Sequence, residues 1–413
     1  MQRVLAMALV AAAAGCGSDD DAAADGSSGM QTSQSSSGST TEMSTSTTAA
    51  ADTGSSSTSD AADGSSSSES STGGSTTAPW QARGSFGVGV TNQLVTEGDR
   101  TVRATIWYPS DDASGTTPLA DLVDEANAAQ LATLMADAPQ DCVRADAEAQ
   151  LDAPLAEGTF PTVLYSHCFS CLGVSSSFIA ERLASHGVIV VGVTHTGDTL
   201  FDDLAGNPAP LNGEWLDQRT TDVRNTLDAV TTRGPIAAAI DSNAIGMFGH
   251  SYGATTTGKV LQDDDRFTAG VAIAAPIENP LLPGVATADI AEPMLFLLME
   301  EDNSIQAIGN NLLAGNAAAM PGGSWLVELA DAGHWSPSDL CGIVDDFAPG
   351  CGDDVRQTNG EPFTYLPADV GRHITASYVT AFFLAELGGD AEAQSWLDAE
   401  PTDAGVTVTR FVP

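Results

Sequence analysis

Apolar runs and amphipathic stretches alternate along most of the chain. Short, fully apolar runs are typical of strands buried on both faces of a parallel sheet, and the amphipathic stretches between them predict helices. The predicted buried strands are 162–166, 188–193, 245–248, 270–274, 294–299 and 324–329. The predicted helices are 121–135, 178–186, 216–231, 254–261 and 373–387.

This alternation predicts an α/β fold, with a mostly parallel central sheet and helices on both of its faces. Ahead of it, residues 86–91 and 101–108 alternate in polarity and predict an antiparallel strand pair near a sheet edge. Pro109 is expected to end the second strand. The polar stretch between residue 135 and Pro161 predicts an insertion near that edge.

Residues 17–79 lack any apolar periodicity and consist almost wholly of Ser, Thr, Gly, Ala and Asp. Such a composition buries too little apolar surface to offset the conformational entropy of the chain. We therefore expect a disordered tether ahead of one folded domain at 80–413.

An early positive charge, Arg3, precedes an apolar run that ends at Ala14, and this pattern predicts an export signal over residues 1–16. The run leads to Cys16 in a sequence that resembles the bacterial lipobox, with Ala13 at the usual leucine position. We expect an exported protein that is lipid-anchored through Cys16 at the cell envelope or surface, and plain secretion is the alternative.

The charge balance excludes one class of partner. The chain has 55 acidic residues, 14 basic residues and a formal net charge of −41, and Lys259 is its one lysine. Binding to nucleic acid by neutralising phosphates is not expected of such a chain. Membrane association is expected through the lipid anchor alone.

The cysteines suggest disulfides, because an exported chain meets an oxidising environment. Cys341 and Cys351 flank a short loop rich in Gly, Pro and Asp, and they are the predicted pair. The spacing of Cys168 and Cys171 favours a structural bridge over a metal site, because no second pair of ligands stands at metal spacing. One of Cys142, Cys168 and Cys171 is then expected to be free.

Candidate chemistry begins at Ser251, which lies between Gly249 and Gly253 in the pattern Gly-x-Ser-x-Gly. The pattern follows a predicted strand and precedes a predicted helix. A serine at such a tight turn projects its hydroxyl above the sheet edge, and the two glycines tolerate the crowded backbone. We predict that Ser251 is a nucleophile.

A serine nucleophile needs a base, and histidine is the usual one. On sheets of the α/β-hydrolase type the acid and then the histidine follow the serine along the chain. His334, in a loop after the 324–329 strand, is the predicted base, and His373 is expected to be a surface or capping residue. Asp302, after the 294–299 strand, is the predicted acid or else a helix N-cap. Further acids remain open as alternatives: Glu301 first, then Glu278 and Asp289.

An oxyanion hole needs two backbone N–H donors. We predict Tyr252, directly after the serine, and Phe169, in the loop after the 162–166 strand. His195 and Trp335 are candidate substrate contacts on the rim of the site. A satisfied loop histidine and a packed tryptophan are the respective alternatives.

Taken in order along the chain, these residues resemble platelet-activating-factor acetylhydrolase-like and predicted dienelactone-hydrolase-like serine esterases of the α/β-hydrolase superfamily. Bacterial cutinase-like polyester hydrolases are similar more distantly. The motifs that carry the resemblance are 106–109, 165–169, 183–187, 219–223, 227–228, 249–253 and 332–334.

The resemblance implies an α/β-hydrolase fold, with Ser251 as nucleophile, His334 as base, and Phe169 and Tyr252 as oxyanion donors. It also implies that Arg219 and Asp222 form a structural pair. The sequence departs from the family at Cys168, where the loop usually has glycine. Either a bridge to Cys171 holds the loop, or the change impairs the oxyanion hole.

The sequence therefore predicts an exported serine hydrolase of carboxylic esters that needs no metal or cofactor. Its expected substrate is a small-molecule, lipid or polyester ester. An amide or peptide hydrolase is one alternative, and a non-catalytic binding protein on a hydrolase scaffold is the other.

Overall fold

A ten-stranded mixed sheet organises the folded part of the chain. The computed structural model of the protein describes residues 78–413, so the predicted export signal, Cys16 and nearly all of the predicted tether lie outside the described residues. The strands are β1 Gly87–Glu97, β2 Arg100–Ser110, β3 Thr117–Pro118, β4 Asp146–Ala147, β5 Gln150–Leu151, β6 Phe160–Ser166, β7 Ile189–Thr194, β8 Ile240–His250, β9 Phe267–Ile273, β10 Met294–Met299, β11 Ser324–Leu329, β12 Asp353–Val355, β13 Pro362–Thr364 and β14 Val406–Phe411.

The strand order in the large sheet is β14-β11-β10-β9-β8-β6-β7-β2-β1-β5. The six strands from β11 to β7 in this order pair in parallel, whereas β14, β2 and β1 pair antiparallel with their neighbours β11, β7 and β2. Helices cover both faces, so the predicted α/β-hydrolase fold is confirmed. The helices are α1 Glu125–Asp137, α2 Ser177–Ser185, α3 Leu200–Leu204, α4 Gly213–Thr232, α5 Tyr252–Asp263, α6 Gln306–Ala319, α7 Ala368–Glu386 and α8 Ala391–Leu397.

Two apolar cores lie on the two faces of the sheet. One core joins the sheet to α2 and α7 and contains Trp107 and Phe382. The other joins it to α4 and α5 and contains Leu227 and Phe296. Because β6, β7, β8, β10 and β11 run in parallel, their carboxyl ends share one edge of the sheet, and the candidate functional residues follow those ends.

The strands differ from the prediction at two places: the end of β2 and the presence of β14. Pro109 lies inside β2, opposite Val88 of β1. The ladder between β2 and β7 ends at Trp107, so β7 does not pair with Pro109, and proline is tolerated on this unpaired side. At the other edge, β14 was not predicted; it alternates in polarity as an antiparallel edge strand does.

The predicted Cys341–Cys351 disulfide is wrong. The disulfides join Cys142 to Cys351 and Cys168 to Cys171, and Cys341 is a buried free thiol. The short loop before Cys351 folds back onto the insertion that carries Cys142, bringing the two Cα atoms within 5.8 Å. Proximity in the sequence therefore did not predict the pairing, because the insertion that carries Cys142 packs beside Cys351, 209 residues further along the chain. The predicted bridge between Cys168 and Cys171 is present.

Within residues 78–413, none of the helices combines the length and the apolar character needed to cross a bilayer.

Candidate active site

The sharp turn at Ser251 joins β8 to α5. Ser251 has φ 56° and ψ −119°, a conformation that few non-glycine residues adopt and that raises the serine above the sheet edge. The glycines on either side are required by close approach. A Cβ on Gly249 would overlap the carbonyl of Gly253, and a Cβ on Gly253 would overlap the carbonyl of Ser166. Ser251 itself is 8% exposed.

His334 and Asp302, the predicted base and acid, lie in contact. The His334 Nδ1–H donates to Asp302 Oδ2 at 2.7 Å, and both side chains are buried. This bond leaves Nε2 of His334 as the atom that can accept a proton. Within residues 78–413, neither that nitrogen nor the Ser251 hydroxyl makes a hydrogen bond, so both are free to meet a substrate.

Asp302 contacts both His334 and the turn ahead of α6, whose N-cap residue is Ile305. While Oδ2 accepts from His334, Oδ1 accepts from the backbone N–H groups of Ser304 and Ile305 at 3.0 Å each, just ahead of α6. Its neighbour Glu301 points to other partners, because it accepts from Arg356 at 2.9 Å. The structure therefore separates the first alternative acid from the histidine.

His250 links the serine turn to the base loop. Its Nε2–H donates to the backbone carbonyl of His334 at 2.8 Å, and the two imidazole rings lie 4.9 Å apart. Burial, and then the nearby His334, lower the pKa of His250 to about 3. His250 therefore stays neutral and fixes the position of the residue that carries the base.

The predicted oxyanion loop is closed by the disulfide between Cys168 and Cys171, and Phe169 lies inside it. The Phe169 N–H makes no hydrogen bond among the described residues, so it is available as a donor. Tyr252 opens α5, and the first N–H groups of a helix have no partner within it. The side chains of Phe169 and Tyr252 face each other with ring centroids 6.5 Å apart.

A buried network beneath this loop centres on Arg219 of α4. Its guanidinium donates to Asp198 at 2.6 Å and to the hydroxyl of Ser166 at 3.0 Å, and it also donates to the carbonyl of His167. Its Cζ atom lies over the Tyr252 ring, 4.5 Å from the ring centre. Arg219 thus contacts both the loop that carries Phe169 and the residue after the nucleophile.

Asp198 completes the attachment of the loop. It accepts from the backbone N–H of Ser170 at 3.0 Å as well as from Arg219. The predicted pair of Arg219 with Asp222 is not formed directly, because Asp222 instead accepts from Arg100 at 2.5 and 2.6 Å.

His195 does not fit the predicted role of a substrate contact. It is 0% exposed, its Nδ1–H donates to Asp222 at 2.9 Å, and its Nε2 lies 3.0 Å from the hydroxyl of Ser166. Burial, and then the charge of Arg219, lower the pKa of His195 to about 4, so the ring is neutral. The structure matches the alternative interpretation of a satisfied loop histidine.

His167 is also fixed in a neutral state. Burial, and then the charge of Arg219, hold its pKa well below the ordinary value. Its Nδ1–H donates to the Cys168 carbonyl at 2.7 Å, and its Nε2 accepts from the backbone N–H of His195 at 3.0 Å. These two hydrogen bonds let His167 orient the loop.

Trp335 is buried against other rings and exposes little surface to a substrate. It is 4% exposed, stacks on Phe347 with ring centroids 3.7 Å apart, and meets His250 and His334 edge-on at 5.5 Å. It packs against the loop that carries His334, which favours the alternative of a packed tryptophan over a substrate contact.

Sequence reasoning missed Asp198, Arg100 and Arg356 as supporting residues of the site. Asp198 stands shortly after a predicted strand, which is a usable signal for the site edge. The other two lie far along the chain from the groups they hold, and no local pattern marks them.

Three comparisons with known proteins bear on this arrangement. A family model described as the prolyl oligopeptidase family matches residues 175–289. Platelet-activating factor acetylhydrolases from Bos taurus and Cavia porcellus are 28% identical over 183 residues and 25% identical over 189 residues. These alignments cover 34% and 37% of this chain, and 40% and 43% of the relatives. The chain thus spans about two fifths of the length of these curated relatives.

Among solved structures, a ferulic acid esterase from Streptomyces cinnamoneus superposes with a TM-score of 0.60 and 22% sequence identity. The superposition covers 78% of this chain and 96% of that one, and at this identity it supports the fold. The fold, the family model and the relatives all support the α/β-hydrolase superfamily for this chain. Within that superfamily its relatives are esterase-like.

Proposed function

We propose that the protein is a serine hydrolase of carboxylic esters. The single observation that carries the proposal is the buried pair of His334 and Asp302, joined at 2.7 Å and tied through His250 to the strained turn at Ser251. The names of the relatives support it, since one denotes an acetylhydrolase and the other a ferulic acid esterase.

In the proposed mechanism, Ser251 Oγ attacks the ester carbonyl while Nε2 of His334 takes its proton. Asp302 holds the imidazole in the required tautomer and stabilises its positive charge. The backbone N–H groups of Phe169 and Tyr252 stabilise the oxyanion. The imidazolium then protonates the departing alcohol, which leaves an acyl group on Ser251. A water deprotonated by His334 attacks this acyl group, releasing the acid and restoring the serine.

The full chain, with and without Ser251→Ala, is assayed on p-nitrophenyl esters of increasing acyl length. We expect turnover by the unaltered chain and a loss of at least about a thousandfold in the variant, since the nucleophile is gone. The matched control is Ser242→Ala, at the exposed opposite end of β8, which should keep full activity. Full activity in a folded Ser251→Ala variant would refute the proposed nucleophile.

A second candidate, hydrolysis of an amide or peptide bond, is favoured by the match to the prolyl oligopeptidase family model. The same Ser, His and Asp would serve it, because both reactions pass through an acyl-enzyme. Peptide p-nitroanilides assayed beside the esters distinguish the two. A higher kcat/KM for anilides than for any ester would replace the ester proposal with this one. No turnover of either class by a folded chain would favour the binding-protein alternative.

We further propose that the protein is exported and anchored through a lipid on Cys16. The motif at Ala13 to Cys16 supports this, and the two disulfides agree with it. Labelling cells with an azido fatty acid tests it, since the label should enter the unaltered chain and be absent from Cys16→Ser. A label that persists in Cys16→Ser would exclude this anchor.

A further inference from the structure

Among the described residues 78–413 of this strongly acidic protein, one arginine has no partner. Of the 14 basic residues, Arg3 lies outside the described part of the chain. Arg182 and Arg372 donate to backbone carbonyls. Ten further basic residues form ion pairs with acids: Arg83, Arg100, Arg144, Arg219, Arg224, Arg233, Lys259, Arg266, Arg356 and Arg410.

Arg103 is the exception among residues 78–413. It makes no hydrogen bond, ion pair or ring contact within them, although its side chain is only partly exposed. A guanidinium carries five N–H donors, and acids outnumber bases in this chain by 55 to 14. A cation left free in such surroundings is therefore available for a ligand.

Arg103 lines a cavity of about 440 Å³ at the catalytic edge of the sheet. It lies on β2 opposite Thr194, the last residue of β7, and Leu172 from beyond the oxyanion loop also lines the cavity. Strand β2 is three positions from β8, which carries Ser251 at its end. Neighbouring strands lie about 4.8 Å apart, so the cavity is roughly 14 Å from the serine along the edge.

Two acids share this lining, and both are already engaged. Asp202 accepts from the backbone N–H and the hydroxyl of Thr199 at 3.0 and 2.5 Å. Asp124 accepts from the side-chain amide of Asn127 at 2.9 Å. Neither forms an ion pair with Arg103. The remaining lining combines four threonines and Asn127 with apolar residues, among them Leu94, Val123 and Phe201. The apolar part would hold a hydrocarbon chain leading to the charged end.

We propose that Arg103 and this cavity form a subsite for an anionic oxygen group, a carboxylate or a phosphate, at the far end of the ester substrate. The inference rests on the proposed ester hydrolysis and narrows its substrate class to anionic esters. In a protein with a net charge of −41, long-range electrostatics repel such a substrate. A guanidinium that binds two oxygens of one group supplies the local recognition that offsets this repulsion.

The test compares esters that differ in their far end. One series has p-nitrophenyl monoesters of dicarboxylic acids from succinate to sebacate, beside neutral acyl esters of equal length. A second series places the carboxylate on the alcohol side, as acetyl esters of ω-hydroxy acids, and a third replaces the carboxylate with phosphate. The full chain, Arg103→Gln and the matched control Arg233→Gln are measured on each, because Arg233 is an exposed arginine in a surface ion pair.

We expect Arg103→Gln to lower kcat/KM for the longest anionic esters of one series about tenfold, in line with the loss of a charge-assisted hydrogen bond. Neutral esters should be unaffected, and Arg233→Gln should change neither class. The effect should grow with chain length, since short esters do not reach the cavity. The series with the larger effect identifies carboxylate or phosphate as the group bound. Equal losses at every length, or no loss in any series, would overturn the subsite.

Failure of the proposed hydrolysis is separable from failure of this inference. If the unaltered chain hydrolyses no ester, the subsite is decided by adding sebacate or inorganic phosphate alone and following thermal unfolding. A ligand that binds the native state raises the melting temperature. A rise that disappears in Arg103→Gln supports the subsite, and no rise with either anion overturns it.

Discussion

At the scale of single residues, the site depends on buried groups that each hold two elements at once. Asp302 fixes His334 with one carboxylate oxygen and the backbone ahead of α6 with the other. Arg219 holds the oxyanion loop through His167 and Asp198, and its guanidinium stacks on Tyr252. Arg219 is therefore a positioning residue: it would act on the reaction through the two predicted donors.

Arg219→Lys tests this role. Lysine keeps the charge opposite Asp198, but one ammonium cannot reproduce the fork that reaches Asp198, Ser166 and His167 together. We expect kcat to fall about 10- to 100-fold with KM little changed, because displaced oxyanion donors weaken transition-state binding. Steady-state kinetics on an ester measures the two constants.

The matched control for that substitution is Arg182→Lys. Arg182 is also a buried arginine, but it donates to the carbonyl of Trp80, away from the loop. If both variants lost the same share of kcat, or if Arg219→Lys raised KM alone, Arg219 would have no specific part in positioning the donors.

At the scale of elements, two disulfides separate stability from catalysis. Cys142–Cys351 joins positions 209 residues apart and ties the insertion after β2 to the loop after β11. Cys168–Cys171 spans a separation of 3 residues and lies in the oxyanion loop. In the chain-entropy account, a cross-link over a long loop restricts the unfolded chain far more than one over a short loop.

The double variants in which each pair is replaced by alanine should therefore behave differently. We expect removal of Cys142 and Cys351 to lower the free energy of unfolding by about 3–5 kcal/mol. Removal of Cys168 and Cys171 should cost less stability and mainly reduce kcat, because the loop that carries Phe169 is released. Denaturant unfolding and ester kinetics on both variants measure this, each serving as the control for the other. A larger loss of stability on removal of Cys168 and Cys171, with kcat reduced mainly by removal of Cys142 and Cys351, would contradict this division of roles.

At the scale of the whole molecule, buried histidines limit stability in acid. Unfolded histidine titrates near pH 6.5. Burial lowers the pKa of His250 to about 3 and that of His195 to about 4, and it holds the pKa of His167 well below its ordinary value. Between the lowered pKa of each folded histidine and about pH 6.5, the unfolded state therefore binds more protons than the folded state. The free energy of unfolding therefore falls as the pH drops from about 6.5 towards 4.

His250→Gln isolates one of these groups. Glutamine keeps an N–H that can donate to the carbonyl of His334 but does not titrate. We expect the slope of unfolding free energy against pH to decrease by up to about 1.4 kcal/mol per pH unit below pH 6. Urea unfolding of both proteins at several pH values measures it. Parallel curves would show that His250 is not a neutral buried group in the folded state.

The unaltered chain must be measured beside His250→Gln, because Glu181 changes stability with pH in the direction opposite to the histidines. Burial raises the pKa of Glu181 to about 7, against the lowering effect of Arg144. The folded state therefore binds more protons than the unfolded state at this position between about pH 4.5 and 7. Its contribution to stability rises as the pH falls, and the difference between the two curves removes it.

A structural feature of this protein is predictable from the sequence when its physical cause lies within a few neighbouring residues. Apolar runs such as 294–299 and 324–329 coincide with β10 and β11, because buried parallel strands leave a pattern within a few residues. The close pair of His334 and Asp302 followed from chain order along such strands. Disulfide pairing did not, since Cys142 reaches Cys351 through the packing of an insertion that has little pattern of its own.

The supporting network was equally hidden from the sequence. The family resemblance implied a pair of Arg219 and Asp222, yet the fold assigns them to Asp198 and Arg100. A buried arginine can reach several acceptors, and the choice among them is made by the whole fold. Sequence patterns therefore predicted the contact between His334 and Asp302 more successfully than the residues that support the site.

The buried thiol of Cys341 gives the protein an internal reporter of unfolding. Burial raises its pKa to about 12, so in the native state it is neither exposed nor ionised, and a maleimide should leave it unmodified. Every other cysteine of residues 78–413 is oxidised in a disulfide. The rate at which a maleimide reacts with Cys341 thus measures how often the core opens, with no dye or engineered residue required.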